Sequence, residues 1–456
     1  MQRQRATPFR YLVFTTASLG LATTAASAAN LCVNPNSRSG CYSTIGAAVG
    51  AAKPGDTINV APGRYAEDVH IVQPVSLIGA GAGWTVINAK GLANGIFIDG
   101  INGASKITPG GNTLTNVTVT GFTVQNANFE GILALNASNV TLWANRVQGN
   151  DRALDIAKGE CPGIPVFETN EGDDCGEGIH LLGTDHSIVA NNTVQNNAGG
   201  ILLSDDTGPT NANVIQQNEV RYNVYDCGIT MASHAPAAVT GSSSPLGVFD
   251  NTVADNESAD NGIKVPGSGA GVGLFAPGPF NANYGNVVVG NRLIDNGAGG
   301  VAMHNHVPNP NIILRDNIVT GNYIAGNGAD PDVGTTGPTG ISVLGTTAVS
   351  GMLITLNQIE NEAVDIAVKN ATSAAAGVVA HLNNLVGRNA IGLDNLGTGP
   401  VDASQNYWGC ANGPGARLQF GQGRQCHDRA IPDPAGPIRR NQLTKQAPGP
   451  GYRLMQ

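Results

Sequence analysis

Short alternations of apolar and polar residues recur along this chain, each only a few residues long and bounded by Gly or Asn. Gly178-Ile-His-Leu, Gly200-Ile-Leu-Leu, Gly228-Ile-Thr-Met, Gly271-Val-Gly-Leu, Gly300-Val-Ala-Met and Gly340-Ile-Ser-Val form one series. Their alternation is that of a strand, and they are too short and too interrupted by glycine to be helices. A second series has Asn, any residue, an aliphatic, two residues, then Asn. It starts at Asn145, Asn192, Asn218, Asn251, Asn291 and Asn317, with weaker copies from Asn357, Asn384 and Asn406. The spacings from Asn192 onward are 26, 33, 40, 26, 40, 27 and 22 residues. The shortest set a unit of roughly 22–27 residues, and the longer ones carry insertions. Units of short strands at such a period predict a coil of a parallel β-solenoid rather than a leucine-rich repeat or a propeller blade. Asn tolerates the left-handed backbone of tight turns, and stacked copies form side-chain ladders, so the asparagines are expected to be structural.

One stretch breaks the pattern. From Ser43 to Lys53 the apolar Ile45, Ala48, Val49 and Ala52 fall at helical spacing, ending at Pro54-Gly55. A short amphipathic helix there would cap the first coil. Strands follow at Thr57–Val60, Val69–Val72, Val75–Ile78 and Gly95–Ile98. The expected class is all-β, a single-stranded right-handed parallel β-helix with a short N-terminal capping helix. Its domains are a signal peptide over 1–28, a cap over 29–55, the β-helix over 56–428 and a Pro/Arg-rich tail over 429–456.

Composition agrees and adds a compartment. Glycine is 62 of 456 residues and charged residues are only 12%, which excludes a coiled coil and intrinsic disorder. The N-terminus carries Arg3, Arg5 and Arg10, then an uncharged stretch from Tyr11, then Ala26-Ser27-Ala28, the pattern of a cleaved export signal. Cleavage would take the net charge from −9 to about −12. That sign disfavours nucleic acid and anionic membranes, and no stretch is suited to membrane insertion. A secreted or periplasmic location follows, and the seven cysteines suit it. Local spacing pairs Cys32 with Cys41, Cys161 with Cys175 and Cys410 with Cys426, leaving Cys227 buried beside a strand.

Three stretches together resemble the secreted parallel β-helix proteins of the pectin-lyase-like superfamily. They are the opening from Ser43-Thr-Ile to Ala61-Pro-Gly-Arg-Tyr65, the run of Gly-Ile and Asn-x-Val coils, and the closing Asn406-Tyr-Trp-Gly-Cys410. The likeness covers about residues 31–428. It implies the fold and leaves the activity open among lyases, hydrolases, esterases, epimerases and binding proteins.

The repeat register indicates which side chains stack. Counting from the Gly that opens each strand, position +6 holds Thr184, Asp206, His234, Pro277, His306 and Thr346, while Asp205 and His304 lie at +5 and +4. With coils about 4.8 Å apart, Asp206 and His234 should be neighbours at a strand exit, with His304 and His306 further along. Carboxylates and imidazoles so placed are candidates for acid–base catalysis or metal binding. A second likeness, to polygalacturonase-type hydrolases, rests on Asp185, Asp205-Asp206, His234 and Lys264 at about one-coil intervals. It implies Asp206 as proton donor, Asp185 or Asp205 as activator of water, and Lys264 as holder of a substrate carboxylate. Tyr225 and Phe275 are candidates for stacking on substrate. The acidic insertion with Glu168, Glu171, Asp173, Asp174 and Glu177 is a candidate calcium site, with Asp173, Asp174 and Glu177 as the ligands. Calcium is thus the candidate cofactor and a polysaccharide the expected partner, with a uronate-containing one among the candidates. The alternative is a non-catalytic cell-surface or extracellular β-helix that binds or supports. A copper-handling periplasmic role is disfavoured by the presence of only five methionines.

Overall fold

A computed structural model describes residues 28–36, 40–112, 114–169, 176–237, 239–265, 267–373, 376–386, 391–409 and the strand 422–424. The expected export segment up to residue 27, Glu171, Asp173, Asp174, Cys175, Cys410, Cys426 and the tail from 429 lie outside the described residues.

Three parallel sheets of 13, 11 and 12 strands run the length of the molecule, and successive strands of one sheet come from successive coils. An antiparallel pairing closes the third sheet at its end, between Ile391–Asn395 and Gln422–Arg424. A typical coil passes through Ile188–Ala190 in the first sheet, Thr193–Gln195 in the second and Ile201–Ser204 in the third. Strands of the first two sheets are mostly three residues long and turn one aliphatic inward. Val189, Ile215, Val253 and Val288 stack in one row, and Val147, Val194 and Val220 in another. Third-sheet strands are longer and turn two inward, as with Ile201 and Leu203 beside Ile229 and Met231. All these side chains are fully buried, and each contributes roughly 1.5–3 kcal/mol.

The asparagines form ladders at three edges. Asn145, Asn192, Asn218, Asn256, Asn291, Asn322, Asn357, Asn383 and Asn406 line the turn from first to second sheet. Each Nδ2 donates to the Oδ1 of the next rung, and that Oδ1 also accepts the same residue's backbone N–H, as in Asn218 onto Asn256 at 3.0 and 2.9 Å. A second ladder, Asn150 to Asn327, lines the turn into the third sheet. A third, Asn213, Asn251, Asn286 and Asn317, precedes the first sheet.

These ladders correct the sequence register. The motifs at Asn251 and Asn317 belong to the third ladder and run into the first at Asn256 and Asn322, whereas those at Asn192 and Asn218 start in the first. A three-residue strand plus a two-residue turn gives the same five-residue spacing on two edges, so the motif alone does not say which edge it occupies. Asn383, not Asn384, is the rung near the end. The ladder asparagines are also not the left-handed residues. That conformation falls to the residue before each rung, such as Ala144, Gln217, Asp255 and Leu356, with φ between 54° and 59°.

The cap is a helix over Ile45–Ala51, shorter than the sequence span. Thr44 caps it through its hydroxyl, which accepts the Ala47 N–H at 3.2 Å. Glu67 accepts the N–H groups of Ile45 and Gly46 at 2.9 and 2.7 Å, placing a carboxylate at the positive helix end. Ala52 is already extended ahead of Pro54, and Ile45, Ala48 and Val49 cover the open coil. Residues 30–33 pair with Thr57–Val60 and form the first strand of the first sheet. Cys32 and Cys41 are joined as expected, and Cys227 is free and buried. Cys161 is disulfide-bonded, and its expected partner Cys175 lies outside the described residues. Among the described residues no helix is long and apolar enough to cross a membrane.

Candidate functional site

The outer face of the third sheet is filled on one side of the middle coils and hollow on the other. One outward row runs Leu133, His180, Leu202, Thr230, Gly273, Ala302, and the next runs Leu135, Leu182, Ser204, Ala232, Phe275, His304. Large side chains occupy the early coils. From Thr230 and Ala232 onward the floor is small, and a cavity of about 300 Å³ opens over it. A Cβ at Gly273 would stand 2.3 Å from the Phe275 ring, so this glycine makes room for the aromatic side chain in the wall.

Two carboxylate–imidazole pairs meet at this cavity. On one wall His234 Nδ1 lies 3.0 Å from Asp206 Oδ2, and the Thr169 hydroxyl donates to the other Asp206 oxygen. Desolvation would push Asp206 up, but the charge and hydrogen bond of His234 outweigh it and hold the acid at about 2. On the other wall His306 Nε2 lies 3.2 Å from Asp332 Oδ2. His304 sits behind, with Nε2 3.0 Å from Asp330 and Nδ1 3.5 Å from Asp332. Burial opposes charge on His304, but the two aspartates prevail and raise it to about 9. The same contacts lower both aspartates. His304 is therefore a cation that ties Asp332 in place, and its ring lies 5.7 Å from that of Phe275.

Of the residues singled out in the sequence, His234, His304, His306 and Phe275 line the cavity. Asp206 stands behind His234 and reaches the cavity only through it. Asp205 turns inward and accepts from Ser233 Oγ at 2.9 Å, His234 N at 2.7 Å and Gly247 N at 2.5 Å. Desolvation and the neighbouring Asp206 raise it to about 7. Asp185 is elsewhere. Thr184 pairs with Thr210 rather than with Asp206, because residues 205–209 loop out between the coils, and Asp185 bridges to Ser138 and Asn211 instead. Lys264 is exposed in the turn leading into Val272–Phe275, and Tyr225 accepts a hydrogen bond from Ser268 through its carbonyl. Neither lines the cavity. The sequence reading missed Asp330 and Asp332, which arrive in a loop before the strand Thr339–Gly345. Asp226, beside Cys227, was also missed.

A second group of acids lies on the early coils. Of the three candidate calcium ligands, only Glu177 lies among the described residues. It stands over Glu130 of the preceding coil, with His180 beside them, and one donor atom from each falls within 4.8 Å of the others. Glu168 of the insertion joins them. Burial, then Glu130, drives its acid well above the ordinary range.

Residues 94–274 match the family model described as right handed beta helix region. A search of curated proteins finds no match by sequence. Among solved structures, an alginate lyase from Paenibacillus sp. is 13% identical, with 83% of this chain and 99% of that chain covered at a TM-score of 0.45. A mannuronan C-5 epimerase A-module from Azotobacter vinelandii is 16% identical, with 80% and 90% covered at a TM-score of 0.40. The pectate lyase Pel9A is 15% identical, with 71% and 78% covered at a TM-score of 0.42. With the family model matching residues 94–274 and three parallel sheets wound into one column, the chain folds as a right-handed parallel β-helix.

Proposed function

We propose that the protein binds a polysaccharide across the third sheet and hydrolyses it in the cavity between His234 and His306. The observation that carries this reading is the meeting of two carboxylate-oriented imidazoles, Asp206–His234 and Asp332–His306, at one solvent-open cavity. Asp206 accepts a hydrogen bond from the Nδ1–H of His234 and so leaves Nε2 as the basic nitrogen, suited to activating water. His306, on the exposed rim, supplies the proton to the leaving oxygen. His304 stabilises the pair by its fixed positive charge. About 300 Å³ is at the small end of ligand sites and suits one or two sugar rings, with Phe275 as the apolar face. Three carboxylates, Asp226, Asp330 and Asp332, line the cavity. They outnumber the charge on His304 and favour a neutral glycan over a uronate.

The test is a screen of neutral and uronate polysaccharides that reads reducing ends and unsaturated products separately. Reducing ends without unsaturation are expected. His234→Ala should lower the rate by about a hundredfold or more with the unfolding midpoint little changed. Asp206→Asn should do the same by misorienting His234. Unsaturated product would overturn the hydrolytic mechanism, and intact substrates with no binding would overturn the reading altogether.

A further inference from the structure

In the third sheet the position two residues before each strand is held by small side chains on the later coils, Gly199, Cys227 and Ala270. On two earlier coils it is Glu130 and Glu177. These coils are direct neighbours, since the Gly131 N–H donates to the Glu177 carbonyl at 3.0 Å. Glu177 leans over Gly199, where a Cβ would meet its side chain at 3.2 Å. Both glutamates are buried, at 0% and 1% exposure.

His180 is 3% exposed and its orientation is held by Nε2, which lies 2.8 Å from Ser204 Oγ. Its Nδ1 then points at Glu130 Oε1 from 3.8 Å, too far for a hydrogen bond, and has no hydrogen-bond partner. No donor from any other residue reaches the oxygens of Glu130 or Glu168, which face each other. Buried carboxylates that crowd one another beside an imidazole nitrogen too distant to bond them are unfavourable unless protons or a cation lie between.

We propose that Glu130, Glu177 and His180 bind a divalent transition-metal ion, with Glu168 completing the shell and the ion pinning residues 151–169 onto the sheet. One imidazole among carboxylates is a donor set for Zn²⁺ or Mn²⁺, whereas Ca²⁺ prefers six to eight oxygens. The Ser204 contact on the far nitrogen of His180 is the outer-shell bond that metal-binding imidazoles usually make. Through Thr169, which adjoins Glu168 and donates to Asp206, the ion would also steady the wall of the cavity.

The test uses the purified full protein, stripped with chelator and titrated with Zn²⁺, Mn²⁺ and Ca²⁺ separately. One equivalent of Zn²⁺ or Mn²⁺ should bind, more tightly than Ca²⁺. Glu130→Gln and His180→Gln should each weaken binding by at least about tenfold, while Asp332→Asn at the other His/Asp group should not. X-ray absorption on the zinc-loaded wild-type protein does not depend on whether the variants fold. It should show one imidazole with carboxylate oxygens. Two imidazoles would move the ion to His304 and His306 and overturn the assignment, as would absence of binding or preference for Ca²⁺.

Discussion

Glu362 ends the second ladder where every earlier rung is Asn, and this one substitution makes stability pH-dependent. Its Oε1 accepts from Asn327 N and Nδ2 at 3.2 and 2.9 Å, as an Asn rung would, but it adds a carboxylate to a buried turn. Desolvation is the main cause that raises its acid from 4.5 to about 7, with Asp295 adding to it. A folded-state value above the unfolded one means that stability is fully present below 4.5 and is lost as pH rises through about 7. At about 1.4 kcal/mol for each factor of ten, the ionised group costs the fold about 3 kcal/mol at pH 8 and under about 1 kcal/mol at pH 5. Glu362→Gln keeps the acceptor and removes the charge. Denaturant midpoints at pH 5 and pH 8 should therefore show little gain at the lower pH and about 3 kcal/mol at the higher. Burial raises Asp151 to about 9 and Asp205 to about 7, so both proteins will lose stability with pH and only their difference reports on Glu362. Parallel curves for the two proteins would refute the reasoning.

Asn256→Ala removes a rung whose Nδ2 bonds the Ile215 carbonyl and Asn291, and whose Oδ1 takes two bonds from Asn218. Several buried groups lose their partners, and urea unfolding should show a loss of about 3–5 kcal/mol. Gly273→Ala forces a methyl group against Phe275 and into the cavity floor, so oligosaccharide affinity measured by calorimetry should fall about tenfold with the fold intact. NMR titration should find the His304 imidazole still protonated at pH 8 because of Asp330 and Asp332; a neutral ring at pH 7 would remove the positive charge assigned to it.

The parts of the molecule that repeat were legible in the sequence, and those that interrupt the repeat were not. The glycines opening the third-sheet strands gave the right register, which is why Asp206 and His234 were found as neighbours and His304 and His306 as members of the same line. The same count failed one residue later for Asp185, because the loop 205–209 shifts Thr184 onto Thr210. Asp330 and Asp332 come from a loop with no counterpart in other coils, so no periodic argument could align them with His304. Glu130 and His180 do occupy repeat positions. They were missed because the sequence reading followed strand exits, and Glu130 lies before a strand, where its stacking on Glu177 appears only once coil order is known.

These failures share a physical cause. Each coil is held by its own aliphatic rows and by ladder bonds to its two neighbours, so one coil can gain a loop or a changed outward residue while the others keep their contacts. The floor of the cavity shows this. Inward Ile229, Val272 and Val301 continue the core row without a break, while outward Thr230, Gly273 and Ala302 shrink beside them. Stability is carried by the inward side chains and the edges, and the outer face of the third sheet is left to vary. The acids and histidines gather there on both early and middle coils, over a scaffold that does not need them. Substitutions at His234 or Asp332 should therefore separate activity from folding far more cleanly than any change to a ladder residue.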